Sequence, residues 1–261
     1  MTLLDFPGKV ACTVFLGGCD FRCQYCHNFE LVDGSAAPIM DEEELFSFLE
    51  KRKGILDGVC VTGGEPCLRE DLHDFIRKIK SLGFQVKLDT NGNHPDMVKE
   101  LVDAGLLDYV AMDIKNCPEK YAMTVGVSQD RLNYSSEHEI DQMHGNSMIQ
   151  NPSYLSNNID PEFGMLEKEF SLKSIRQTVS LLLESPINYE FRTTVVEEYH
   201  TEEDFQKIGQ WISGAKKYFL QQYTPRDTVP DGTLTSPSRE TMEKYLSVVK
   251  EYVPTAEIRG V

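Results

Sequence analysis

The sequence predicts an α/β protein built on a single parallel sheet. Short apolar runs recur along the chain, and nearly every one is followed by a stretch with helical periodicity. The polar and charged residues with chemical potential cluster just after those runs, where barrel-type sheets carry their sites. Strand–helix alternation implies right-handed crossovers. Six such units are too few to close an eight-fold barrel.

In chain order, Val10–Leu16 reads as the first strand, and Asp41–Lys53 as a helix with an acidic first turn. Val59–Thr62 is the second strand. It leads into the helix Arg69–Ser81, where Leu72, Phe75, Ile76 and Ile79 fall at helical spacing. Phe84–Leu88 precedes the helix His94–Ala104, and Tyr109–Ile114 is the fourth strand. After a long irregular stretch come helix Leu172–Leu183 and strand Tyr189–Val196. Helix Thr201–Ile212 opens on Thr201-Glu202-Glu203-Asp204, which suits the positive end of the helix dipole. Lys217–Gln221 is the sixth strand and Ser238–Glu251 the last helix.

A chain of 261 residues, 40% hydrophobic and 26% charged, has the composition of an ordinary globular protein. We expect a single domain over 1–261. No apolar run approaches a membrane span and no signal-peptide pattern is visible, so the expected location is cytoplasmic. The net charge of −16 argues against nucleic-acid binding, which needs a basic footprint. It suits solubility and the steering of a partner.

Seven cysteines, an odd number, favour metal or redox chemistry over a disulfide framework. Cys12, Cys60, Cys67 and Cys117 stand singly and read as buried thiols packed like small hydrophobes. Cys19, Cys23 and Cys26 differ: their C-x3-C-x2-C spacing lies in one loop directly after the first strand. Three thiolates on a four-iron cluster leave one iron open, and an open position is where chemistry happens. The competing reading is a structural zinc site completed by His27, although adjacent Cys26 and His27 aim poorly at one tetrahedral centre.

The cysteine loop, with Tyr25 before its third cysteine, resembles the signature of the radical S-adenosylmethionine (SAM) superfamily. The surrounding motifs are Asp5-Phe6-Pro7-Gly8-Lys9, Cys26-His27-Asn28, Thr62-Gly63-Gly64-Glu65-Pro66, Leu88-Asp89-Thr90-Asn91-Gly92, Met112-Asp113-Ile114-Lys115 and Tyr189-Glu190-Phe191-Arg192-Thr193-Thr194. Together they resemble the activating proteins of glycyl radical enzymes, most closely the activase of anaerobic ribonucleoside-triphosphate reductase. The resemblance implies a partial (β/α)6 TIM-like barrel whose open side admits a large substrate. It also implies a [4Fe–4S] cluster on Cys19, Cys23 and Cys26 whose fourth iron takes the methionine end of SAM. Reductive cleavage of SAM would then give a deoxyadenosyl radical that abstracts hydrogen from a partner's glycine, the electron coming from a flavodoxin- or ferredoxin-type donor.

By the same resemblance Tyr25, Gly63, Gly64, Glu65, Asp89 and Arg192 contact the cofactors, and Asp113 and Lys115 serve catalysis. Each has a plainer reading: a turn for Gly63-Gly64-Glu65, a turn cap for Asp89, buried ion pairs for Asp113, Lys115 and Arg192. His27 and His200 read as packing or surface residues. Glu197-Glu198 stands where the family commonly has Pro-Gly, leaving that turn open. The polar, turn-rich stretch 128–168 reads as an inserted excursion, either a surface loop or an arm that docks the partner. Competing functions are an activase of the pyruvate formate-lyase type, a small-molecule radical SAM enzyme such as a deazapurine synthase, and a non-enzymatic iron–sulfur or zinc module.

Overall fold

The computed structural model describes residues 2–126 and 170–260; the stretch 128–168 lies outside the described residues. Seven strands form one sheet in strict sequence order, every neighbouring pair parallel. They are β1 (Ala11–Leu16), β2 (Gly58–Gly63), β3 (Gln85–Thr90), β4 (Tyr109–Asp113), β5 (Asn188–Val195), β6 (Tyr218–Gln222) and β7 (Glu257–Arg259). β1 and β7 do not pair, so the sheet is an open, partial barrel. Among the described residues a seventh strand, β7, extends the six expected. β7 is three residues long, too short for a period-two pattern to register, and it is held by pairing Leu220 with Ile258 and Gln221 with Arg259.

The helices are α1 (Phe29–Val32), α2 (Glu42–Glu50), α3 (Leu72–Ser81), α4 (Pro95–Asp103), α5 (Tyr121–Thr124), α6 (Leu172–Glu184), α7 (Glu202–Trp211) and α8 (Arg239–Lys250). α1 and α5 are single turns without a sequence signal. The acidic helix starts act as caps: Asp41 with Glu44, and Thr201 with Asp204, form reciprocal capping boxes on α2 and α7.

Each strand has two faces, and this chain uses them differently. Val59, Val61, Val86, Leu88, Val110 and Met112 pack against the helices, where α3 buries Leu72, Phe75, Ile76 and Ile79. The other face lines the lumen and is charged: Lys87, Asp89, Asp113, Glu190 and Arg192 come from alternate positions of β3, β4 and β5. The lumen floor is closed by Phe6 from the Asp5-Phe6-Pro7 motif, packed 6.2 Å from the Tyr109 ring. Gly58 must be glycine for this plug to seat, since a Cβ there would lie 2.9 Å from the Phe6 ring and 2.8 Å from Gln85 O.

Candidate active site

The loop after β1 carries the three cysteines and is pinned on three sides. Gly18 N donates to Leu31 O (2.7 Å), Arg22 N to Val125 O (2.9 Å) and Asp231 N to Gln24 O (3.0 Å). The β2 end packs backbone against backbone beneath it: Gly64 N donates to Leu16 O and Glu65 N to Gly18 O. This close approach explains Gly63-Gly64. Gly63 has φ +124°, a conformation that other residues rarely adopt, and a Cβ on Gly64 would meet the Gly18 carbonyl.

Cys23 is buried, while Cys19 and Cys26 are partly exposed. Burial pushes the Cys23 thiol up to about 11 and raises Cys19 further, with the Asp20 charge adding to the latter. Phe21 N donates to Cys19 Sγ (3.4 Å), the kind of contact a thiolate ligand keeps. Among the described residues, no three Cys, His, Asp or Glu side chains close around a single point as one zinc ion requires. His27 donates its Nε2–H to Thr224 O at 2.8 Å and stacks on Tyr223, so this nitrogen is committed elsewhere. Three thiolates in one loop fit a cluster, which takes each on its own iron.

The predicted site residues converge at the same mouth, in different roles from one another. The Glu65 side chain is consumed by the protein: only 1% exposed, it accepts from Cys67 N (2.9 Å), Thr90 Oγ1 (2.8 Å) and Asn91 N (2.6 Å). Burial, with Asp20 nearby, raises its pKa. It braces the β2 end against the β3 end. Asp89 sits in the lumen, paired with Lys87 and, at 3.1 Å, with Arg192. Arg192 Nε also donates to Asp113 (2.9 Å), and Lys115 Nζ reaches Asp113 at 3.0 Å.

The result is an alternating row, Lys87–Asp89–Arg192–Asp113–Lys115, crossing three strands and rising from Lys87, level with Tyr109, to Lys115 at the barrel mouth. Burial alone would raise the Asp113 carboxyl, but Arg192 and Lys115 outweigh it and hold it down to about 2. Burial alone would lower Lys115, and Asp113 reverses that, so its ammonium stays charged. The plainer ion-pair reading of these residues is therefore realised, and it is compatible with ligand contact: an ammonium has three donors and Lys115 commits one to Asp113.

Tyr25 packs beside Tyr199 (5.8 Å) and Tyr223 (6.5 Å), and its buried hydroxyl has no partner among the described residues. The hydroxyl of the neighbouring Tyr223 is likewise without a partner among the described residues. His200 is structural: Nε2 meets Lys115 O (3.1 Å) and its carbonyl accepts from Tyr245. Glu197-Glu198 builds a turn without Pro-Gly, with the Glu198 carboxylate accepting from Thr235 N and Oγ1.

Sequence reasoning missed three contributors. Lys87 is 2% exposed and anchors the charged row; its place between Val86 and Leu88, two residues before Asp89 on the same face, was its signal. Asp20 accepts from Asn91 (2.7 Å), Asn93 (2.7 Å) and His94 (3.0 Å), tying the cysteine loop to the β3 end. Burial opposes its ionisation, but those donors win and lower its pKa. Glu190, held by Tyr109 (2.9 Å) and by Arg259 of β7 (3.0 Å), fixes the lower lumen.

Residues 13–134 match the radical SAM superfamily. A Methanocaldococcus jannaschii protein, provisionally named a glycyl-radical enzyme activating enzyme, is 27% identical across 100% of this chain and 93% of its own length. A pyruvate formate-lyase-activating enzyme of Clostridium pasteurianum is 34% identical over 44% of this chain and 50% of its own, so the chain spans half the length of that relative. The crystal structure of Streptococcus suis SuiB bound to S-adenosylmethionine superposes on 96% of this chain and 50% of SuiB, with TM-score 0.63 at 10% identity; it shares the fold.

Proposed function

We propose that this chain, a radical SAM enzyme working with a [4Fe–4S] cluster and S-adenosylmethionine, is the activase of a glycyl radical enzyme. The partner we favour is anaerobic ribonucleoside-triphosphate reductase, reached in the cytoplasm. The carrying observation is the placement of a three-cysteine loop over the mouth of a barrel that is open between β1 and β7. Cys19, Cys23 and Cys26 would hold the cluster. When bound, cluster and SAM supply a carbon radical able to take hydrogen from glycine.

The chain's own contributions follow from the geometry. Gly63 and Gly64 let backbone come close beneath the loop, where an amino acid's polar groups would need donors and acceptors rather than a side chain. Tyr25 has its unpaired hydroxyl available. Arg192 and Lys115 present fixed positive charge at the mouth, suited to the carboxylate of the SAM methionine, while Asp89 and Asp113 keep both cations oriented. Because every carboxylate in the row is already paired, the mouth needs little reorganisation when a ligand arrives. Among the described residues, no helix is long and apolar enough to cross a membrane.

The decisive experiment is anaerobic incubation with SAM, a reductant and a candidate partner, reading the glycyl radical by electron paramagnetic resonance. A radical on the reductase supports the favoured partner. A radical on pyruvate formate-lyase alone moves the assignment to that sibling, and SAM cleavage with neither leaves a small-molecule substrate.

A further inference from the structure

Outside the barrel, α4 and α6 leave a groove lined by Pro95, Asp96 and Lys99 on one side and Leu172, Lys173 and Arg176 on the other. We propose that this groove docks the electron donor, a small acidic one-electron carrier protein. The proposal rests on the reading of the cysteine loop as a cluster site.

Charge is the first argument. A chain of net charge −16 repels an acidic carrier over most of its surface. Here Lys99, Lys173 and Arg176 stand against Asp96 in the lining and Asp103 beside it, which leaves Lys173 and Arg176 as the cations that carry the patch. Lys173 and Arg176 are exposed and have no ion-pair partner among the described residues; Glu119 lies in the field of Arg176 without pairing to it. Among the described residues Lys99 pairs only with Asp103 of its own helix, and both side chains are exposed, so that pair holds it weakly. Pro95, Leu172 and Leu181 add apolar lining beside the charges.

Position is the second. Both helices start beside the cysteine loop. α4 follows directly on His94, which bonds Asp20 next to Cys19. At the head of α6, Phe170 packs edge-on against Phe21 at 6.0 Å, and Ser171 N donates to Asn93, itself bonded to Asp20. Asn91 Nδ2 stands 3.9 Å from Cys19 Sγ. A carrier seated in the groove therefore faces the Cys19 side of the loop from outside the barrel, while the lumen and its open seam stay free for SAM and a polypeptide substrate. In the step itself the carrier loses one electron and the cluster gains it; no atom moves between them.

The test uses the cluster-loaded enzyme and reduced flavodoxin as the probe carrier, with dithionite as a small reductant that needs no docking. For the double variant Lys173→Glu/Arg176→Glu, the rate of cluster reduction by flavodoxin should fall about tenfold or more at low ionic strength. The gap should narrow as salt is added, since exposed charges are screened. Reduction by dithionite, and SAM cleavage driven by it, should match the unaltered enzyme. An unchanged flavodoxin rate in the variant overturns the proposal, as does an equal loss with both reductants. It is likewise overturned if flavodoxin fails to reduce the unaltered enzyme that dithionite does reduce. Failure of SAM cleavage even with dithionite would instead count against the radical SAM chemistry on which the docking rests.

Discussion

Replacing Gly64 by alanine tests whether the cysteine loop is seated by backbone contact with the β2 end. An added Cβ would stand 2.7 Å from the Gly18 carbonyl carbon, nearer still to its oxygen, and 3.3 Å from Cys19 Cβ. Ordinary carbon–carbon contact begins at about 3.5 Å, so the loop must lift by ~0.8 Å or more. The obstructing atoms are backbone, so no side-chain rotation relieves them. Overpacking of this kind costs roughly 1–3 kcal/mol, equivalent to a melting-point loss of about 2–12 °C for a chain of this size. The shift falls on the residue next to Cys19, so iron retention after anaerobic reconstitution should drop along with stability. Gly232→Ala is the control, because a Cβ there meets nothing within 4 Å. If Gly64→Ala melts with the control and keeps its iron, the proposed seat of the loop is wrong.

Other outcomes follow from the same geometry. Alanine at Cys19, Cys23 or Cys26 should abolish cluster assembly measured as bound iron and sulfide, whereas alanine at Cys12, Cys60, Cys67 or Cys117 should retain it, since those four are buried among other partners. Lys87→Ala removes a buried partner of Asp89 and should destabilise the fold by about 3 kcal/mol in denaturant titration; a loss under about 1 kcal/mol would show the charged row to be dispensable for folding. Lys115→Ala should keep the cluster but lower deoxyadenosine formation or its coupling to the partner glycine by about tenfold, and unchanged values in both assays would return Lys115 to a purely structural role. Burial lowers the His200 pKa below its ordinary 6.5, so in acid the unfolded chain takes up a proton that the folded chain refuses. Stability should therefore fall as pH drops below about 6.5, and His200→Gln should flatten that part of the profile measured by thermal melting.

What this sequence determined by itself is local. Strand and helix periods emerge from side chains a few residues apart, so Leu72, Phe75, Ile76 and Ile79 announced α3 without knowledge of the sheet. The cysteine spacing is local too, because Cys19, Cys23 and Cys26 all fall within one short loop. The acidic starts Asp41 and Thr201 were legible for the same reason: a cap bonds its own first turn. Tertiary structure decided everything that depends on which strand ends meet. Register alone sets Asp113 opposite Arg192 and carries Asp89 within reach of that guanidinium, converting separate motif residues into one row with Lys87 at its end. The approach of the β2 and β3 ends makes Glu65 a brace as well, since its carboxylate meets Thr90 and Asn91 only in the folded sheet. Asp20 found Asn93 and His94 more than seventy residues away. Such partners leave no periodic trace in the chain, because they are chosen by proximity across the barrel mouth and not along the backbone.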